Sequence, residues 1–126
     1  MENKITEESG NLRISEEVVA VIAGIAATNV EGVAGMSGGI AGGIAQLLGK
    51  NSFAKGVKVS VHEKEAVIDI FVIVNFGVRI PEVAFKIQEN VKKSVENMTG
   101  LQVKEANVHV QGVIAEKESK EEDIEE

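Results

Sequence analysis

Apolar and polar positions along this chain recur with two different periods, and the changes of period mark its elements. After Ser15, the residues Val18, Ile22, Ile25 and Asn29 fall at helical spacing, with Ala20, Ala23, Ala26 and Ala27 between them small enough for close approach. Ser15 is a good N-cap because its hydroxyl can accept from the exposed backbone N–H groups, and Glu16 and Glu17 complement the positive end of the helix dipole. A first helix is expected from about Glu16 to Asn29, ended by Gly32. In GVKVSVHE the period drops to two. Val57, Val59 and Val61 alternate with Lys58, Ser60 and His62, the signature of a strand with one wet face. After a turn at Lys64 and Glu65, AVIDIFVIVNF is apolar on both faces, which suits a central strand paired to the first as a hairpin.

Helical spacing returns at Pro81, a residue suited to a first helical turn. Glu82 complements that dipole, Ala84, Ile87, Val91, Val95 and Met98 form the apolar stripe, and Gly100 stops the helix. A last strand runs from Leu101 to about Ile114. Its inward parity changes between Val103 and Val108, which points to a bulge or break near Glu105 and Ala106. The order helix, hairpin, helix, strand predicts an α+β fold. It is a two-layer sandwich in which a small, mainly antiparallel sheet of three to four strands carries two main helices on one face. No repeat of 20 to 50 residues is present.

The stretch MSGGIAGGIAQLLGK, Met36 to Lys50, fits none of these periods at first sight. A Walker A loop fails twice, because Ile44 stands where its first glycine belongs and Asn51 where its Ser or Thr belongs. No set of the glycines matches G-x-G-x-x-G, and no strand is expected immediately before them. Gly32 to Gly49 is uncharged, and Gly35/Gly39, Gly38/Gly42 and Gly39/Gly43 have the small-xxx-small spacing of packed membrane helices. Yet these 18 residues are short for a span and seven of them are glycine, so no transmembrane segment is expected. The better fit is a short amphipathic helix after a flexible glycine entry, with Ile40, Ile44, Leu47 and Leu48 on one face. That face either packs on the domain's own core or docks on a partner.

Composition narrows the function classes. The chain has 126 residues, enough for one core. Its net charge of −7 sits in the ends. The last twelve residues carry seven acidic and two basic side chains and the first ten carry three and one, so residues 11–114 are neutral. The expected organisation is a disordered tail over 1–10, a domain over 11–114 and an acidic disordered tail over 115–126. A neutral domain with two arginines, four phenylalanines and no Tyr or Trp argues against a nucleic-acid partner. The chain has no cysteine, hence no disulfide framework or thiolate metal site, and no basic-then-apolar leader, so a cytoplasmic location is expected.

Few residues suggest chemistry. His62 and His109 both fall on outward strand parities, which would allow a shared surface, but two histidines without nearby carboxylates or cysteines rarely make a metal site. Asp69, the lone charge within its strand, reads either as a perturbed carboxylate in a cleft or, the favoured structural role, as paired with a lysine or a backbone N–H at the sheet end. Asn75, Gly77 and Arg79 lie where a strand gives way to a helix N-terminus, a possible anion site; the alternative is a turn whose Arg79 pairs with Glu82. No activated nucleophile, paired acid and base, metal cluster or cofactor motif is visible, so an enzyme is not expected.

GNLRISEEVVAVIAGIAATNVEGVAGMSGG and the run from Gly56 to Val113, above all IPEVAFKIQENVKKSVENMTGL and NVHVQGV, closely resemble the alkaline shock, or general stress (Gls-type), family of Gram-positive bacteria. The resemblance covers about Gly10 to Val113. It implies a small, non-enzymatic, cytoplasmic protein tied to alkaline or cell-envelope stress. It also implies self-association and, in some members, attachment to the inner membrane face through a small membrane-anchored partner. No catalytic residue carries over. On this reading the chain is a stress-related adaptor or scaffold whose partner-binding residues are Ile40, Ile44, Leu47 and Leu48. The competing reading is a small-ligand or RNA-binding module of KH-like type using the strand-loop-helix around Arg79. Gly39-Ile-Ala-Gly42 has the required G-x-x-G form but lacks flanking basic residues.

Overall fold

A computed structural model describes residues 10–38 and 51–115. The expected tails lie almost wholly, and the expected helix carrying Ile40, Ile44, Leu47 and Leu48 entirely, outside those residues. Helix α1 spans Glu16–Thr28, strand β1 Val33–Met36, the short helix α2 Asn51–Ala54, and strands β2 and β3 Val57–His62 and Glu65–Asn75. Helix α3 spans Ile80–Thr99 and strand β4 Gln102–Ile114.

β3 is the axis of the sheet. Its first half pairs antiparallel with β2, from His62 opposite Glu65 to Val57 opposite Ile70. Its second half pairs antiparallel on the same edge with β1, where Met36 lies opposite Val72 and Val33 opposite Val74. The other edge pairs in parallel with β4 along the whole strand, from Glu65–Gln102 to Asn75–Ile114. Two of the three pairings are therefore antiparallel, as expected of a mainly antiparallel sheet, and the longest is parallel because α3 carries the chain back before β4 begins.

Period two along β3 separates the faces. Ala66, Ile68, Ile70, Val72 and Val74 are fully buried under the helices, whereas Val67, Asp69, Phe71 and Ile73 are half-buried on the opposite face, which no described helix covers. Over the buried face, α3 contributes Val83, Ile87, Val91 and Val95, and α1 contributes Val19, Ala20, Ala23, Ala26 and Ala27. Asn90 ties the helices together by donating to the Ala26 carbonyl at 2.8 Å. The architecture is the expected α+β two-layer sandwich.

Caps and turns follow local chemistry. Ser15 Oγ accepts the Val18 N–H at 3.1 Å. Pro81 sits in the first turn of α3, and Gly100 closes it in the left-handed conformation, φ +80°. The hairpin turn falls at Glu63 and Lys64, one residue before the expected Lys64 and Glu65, with Glu63 left-handed at φ +60°. The parity change in β4 is a bulge at Lys104, since Ala66 opposes Val103 and Val67 opposes Glu105; a second bulge falls at Gln111.

Two helix faces differ from expectation. In α1 the buried side is the alanine and glycine side with Val19, and Val18 and Ile25 are exposed. Small side chains let the helix approach its neighbours more closely than a branched stripe would, and Gly24 shows how closely: a Cβ there would meet the Phe53 carbonyl oxygen of α2. In α3 Met98 is 70 % exposed and Thr99 is buried instead. Thr99 satisfies its hydroxyl locally, donating to the Val95 carbonyl at 2.6 Å and accepting the Leu101 N–H at 3.0 Å. Val83, not the half-buried Ala84, opens the buried stripe.

Ile70→Ala is expected to destabilise the fold by about 2–5 kcal/mol, the usual cost of a large deletion in a close-packed core, read by urea denaturation. Gly24→Ala is expected to lower the melting temperature even though alanine is favoured in a helix interior by about 1 kcal/mol, because the obstacle is backbone and cannot rotate away. An unchanged or raised melting temperature would contradict the close approach of α2.

Candidate functional site

The parallel register of β4 on β3 brings together residues far apart in sequence. Asp69 opposes Asn107, and Phe71 opposes His109. On the other side of β3, Lys58 of β2 opposes Asp69. These five side chains form a cluster on the sheet face opposite the helices. His109 Nε2 lies 3.1 Å from Asp69 Oδ1, and Asn107 Nδ2 donates to the same oxygen at 3.2 Å. The His109 ring stacks on Phe71 with centroids 4.4 Å apart and planes 12° apart, and Lys58 Nζ lies 5.7 Å from the Phe71 centroid. Phe71 thus carries a stacked imidazole and a nearby ammonium, and the negative face of its ring favours a cation in that position.

The hydrogen bond from His109 holds the Asp69 carboxyl below its ordinary value, against the opposing effect of burial, with Asn107 and the charges of His109 and Lys58 acting in the same direction as the bond. Asp69 and His109 are both partly exposed, so the pair is a surface feature. Asp69 was expected to pair with a lysine or a backbone N–H; its partners are instead an imidazole and a carboxamide. His62 shares the face by parity but stands at the hairpin end opposite Glu65, away from the cluster in register. Among the described residues no group of three or more His, Asp or Glu side chains is placed to hold a metal ion.

Asn75, Gly77 and Arg79 come together at the carboxyl end of β3. The Asn75 N–H donates to the Gly32 carbonyl at 2.9 Å, and its carbonyl accepts the Val78 N–H at 3.4 Å. Gly77 takes φ +99°, which admits glycine without strain. Arg79 stands at the N-cap of α3 without a side-chain cap bond, and its Nε lies 3.3 Å from the Glu82 carboxylate. Both side chains are well exposed, and the pair brings the Glu82 carboxylate to the first turn of α3, where it complements the helix dipole. A shallow groove at the opposite end of the molecule runs between the 10–15 segment and the β2–β3 turn, with Arg13, Glu63 and Lys64 at its rim. No buried side-chain polar atom among the described residues lacks a hydrogen-bond partner, there or elsewhere.

These features define a small α+β domain with an open sheet face and exposed apolar side chains. Among the described residues no helix is long and apolar enough to cross a membrane. Residues 4–115 match the model of the alkaline shock protein family, described by its cell envelope-related function, and the chain belongs to that family. YqhY, an uncharacterized protein of Bacillus subtilis, is 43 % identical over 117 residues, covering 93 % of this chain and 87 % of that protein. YloU of the same organism is 37 % identical, covering 90 % and 96 %. A Streptococcus pyogenes protein named stress response regulator gls24 homolog is 31 % identical over 102 residues, covering 80 % of this chain and 57 % of its own length. The resemblance to alkaline-shock and Gls-type proteins is thereby established.

Because the folded Asp69 carboxyl titrates below its ordinary value of 3.8, the stability it contributes is present above that value and is lost as pH falls through the lowered one. Carbon-detected NMR titration of the folded chain is expected to place the Asp69 midpoint below 3.8. His109→Ala should move it back upward. A midpoint unmoved by that substitution would show that the bond to His109 is not what lowers it.

Proposed function

We propose that this protein is a non-enzymatic adaptor or scaffold in cell-envelope homeostasis, which self-associates and binds a small membrane-anchored partner from the cytoplasmic side. The observation that carries the reading is membership, across residues 4–115, of a family of cell envelope-related function. The surface supports it. Phe76 is 73 % exposed, and Leu12, Phe85 and Met98 are exposed as well. Large apolar side chains held in water on so small a domain are the raw material of an interface, because covering each is worth about 1.5–3 kcal/mol before the costs of association. Ile40, Ile44, Leu47 and Leu48 are assigned to the partner-binding surface on their spacing alone.

The tagged full chain is captured from detergent-solubilised membranes of its host, beside a variant with Ile44, Leu47 and Leu48 changed to serine. One membrane protein recovered by the parent and lost by the variant, with the variant's circular dichroism unchanged, is the expected result. Equal recovery by both forms removes Ile44, Leu47 and Leu48 from the reading. Recovery of no membrane protein by either form removes the partner.

A further inference from the structure

The two edges of the sheet are finished differently. β2 has six residues, presents Lys58, and has its Val61 N–H taken by Glu16 Oε2 at 3.0 Å. A short strand bearing a lysine, with an outward N–H already occupied, is a poor template for another chain. β4 has 13 residues. Only its first half is closed: Glu96 Oε2 accepts the Val103 N–H at 2.9 Å, and Gln88 Nε2 donates to the Ala106 carbonyl at 2.9 Å.

Those two bonds also show which way the backbone of β4 points. Successive strand residues direct their N–H and C=O groups to opposite edges, so an outward Ala106 puts Val108 and Val110 outward too. Among the described residues β4 pairs with β3 alone, and no hydrogen bond reaches the far-side backbone groups of Val108 or Val110. The fringe of this open stretch is apolar. Phe85 lies one turn before Gln88 on the same flank of α3 and is 58 % exposed, and Ile80 and Val113 are exposed as well. The segment 106–114, ANVHVQGVI, contains no Asp, Glu, Lys or Arg.

We propose that the Val108–Val110 edge of β4 pairs antiparallel with the same edge of a second copy of this chain, about a twofold axis beside His109, so that two sheets become one. The proposal rests on the self-association reading above and gives it a surface. A second copy is the occupant because a strand edge offers donors and acceptors that match its own under a twofold. A segment without Asp, Glu, Lys or Arg, whose one histidine is paired with Asp69, also meets itself with little like-charge repulsion. The Glu96 and Gln88 caps confine pairing to the second half of the strand, with Val108 opposite Val110 of the other copy and Phe85 flanking the new ladder. The dissimilar β2 edge cannot repeat the contact, so assembly by this route closes at two.

The test combines sedimentation equilibrium of the full chain with residue-resolved hydrogen exchange over a range of protein concentrations. A dimer is expected, with the Val108 and Val110 amides slowing as it fills. Phe85→Lys is expected to weaken association about tenfold or more, as loss of an apolar anchor does. Val110→Pro, which removes an outward N–H, is expected to abolish it; in both variants the Ile68 and Ile70 amides report that the fold is kept. A dimer whose Val108 and Val110 amides exchange equally fast at every concentration overturns this surface and leaves self-association standing. A chain that stays monomeric with those amides fast overturns both. Slow exchange at Val108 and Val110 in a monomer overturns the proposal and gives the edge to another segment of the same chain.

Discussion

β3 is bonded along both edges and buried on one face, and the other three strands and the two long helices take their places from that strand. Its even-numbered residues, Ala66 to Val74, have no exposed surface, so the helices above them must supply a continuous apolar layer. The antiparallel partners β2 and β1 share one edge end to end, which leaves the whole of the other edge to β4. That division decides the register of β4, and the register decides which side chains meet on the open face. Asp69 and His109 are forty residues apart in sequence and become neighbours only because β4 runs parallel to β3 with one extra residue at Lys104.

The same strand organises the chemistry available to the surface. Odd-numbered β3 residues place a carboxylate and an aromatic ring, Asp69 and Phe71, on a face that no described helix covers. β2 adds an ammonium from one side, and β4 adds an imidazole and a carboxamide from the other. The result is a satisfied polar cluster on an aromatic base, with its hydrogen bonds made within the domain. Such a cluster fixes side-chain positions and register across the three strands. At the carboxyl end of β3, Arg79 is likewise engaged, by Glu82.

Much of this fold was legible in the sequence because local signals and tertiary packing agreed. Ser15, Pro81 and Gly100 announced their helix ends through capping chemistry that acts within a few residues. Alternation in β2, the two-sided apolar run in β3 and the parity break in β4 were all preserved. What sequence periodicity could not show was non-local. β1 has four residues with a glycine among them and exists by pairing with the far end of β3. The buried face of α1 is set by how closely Ala23, Gly24 and Ala27 let it approach its neighbours, which outweighs the greater hydrophobicity of Val18 and Ile25. Met98 reads as core by spacing, but α3 ends there and the last inward position passes to Thr99, whose hydroxyl is satisfied by its own helix. Asp69 and His109 were each conspicuous in the sequence; their meeting depended on a parallel register that no local pattern encodes.

Native-state hydrogen exchange across the whole chain tests the central place of β3 most directly. If β3 organises the domain, the amides of Ile68, Ile70 and Val72 exchange only through global unfolding and share the highest protection in the molecule. Amides of α1 and α3 then open at equal or lower free energy. Exchange of the β3 amides at a lower free energy than those of α1 and α3 would contradict the account, because the sheet would then be an appendage of a helical core.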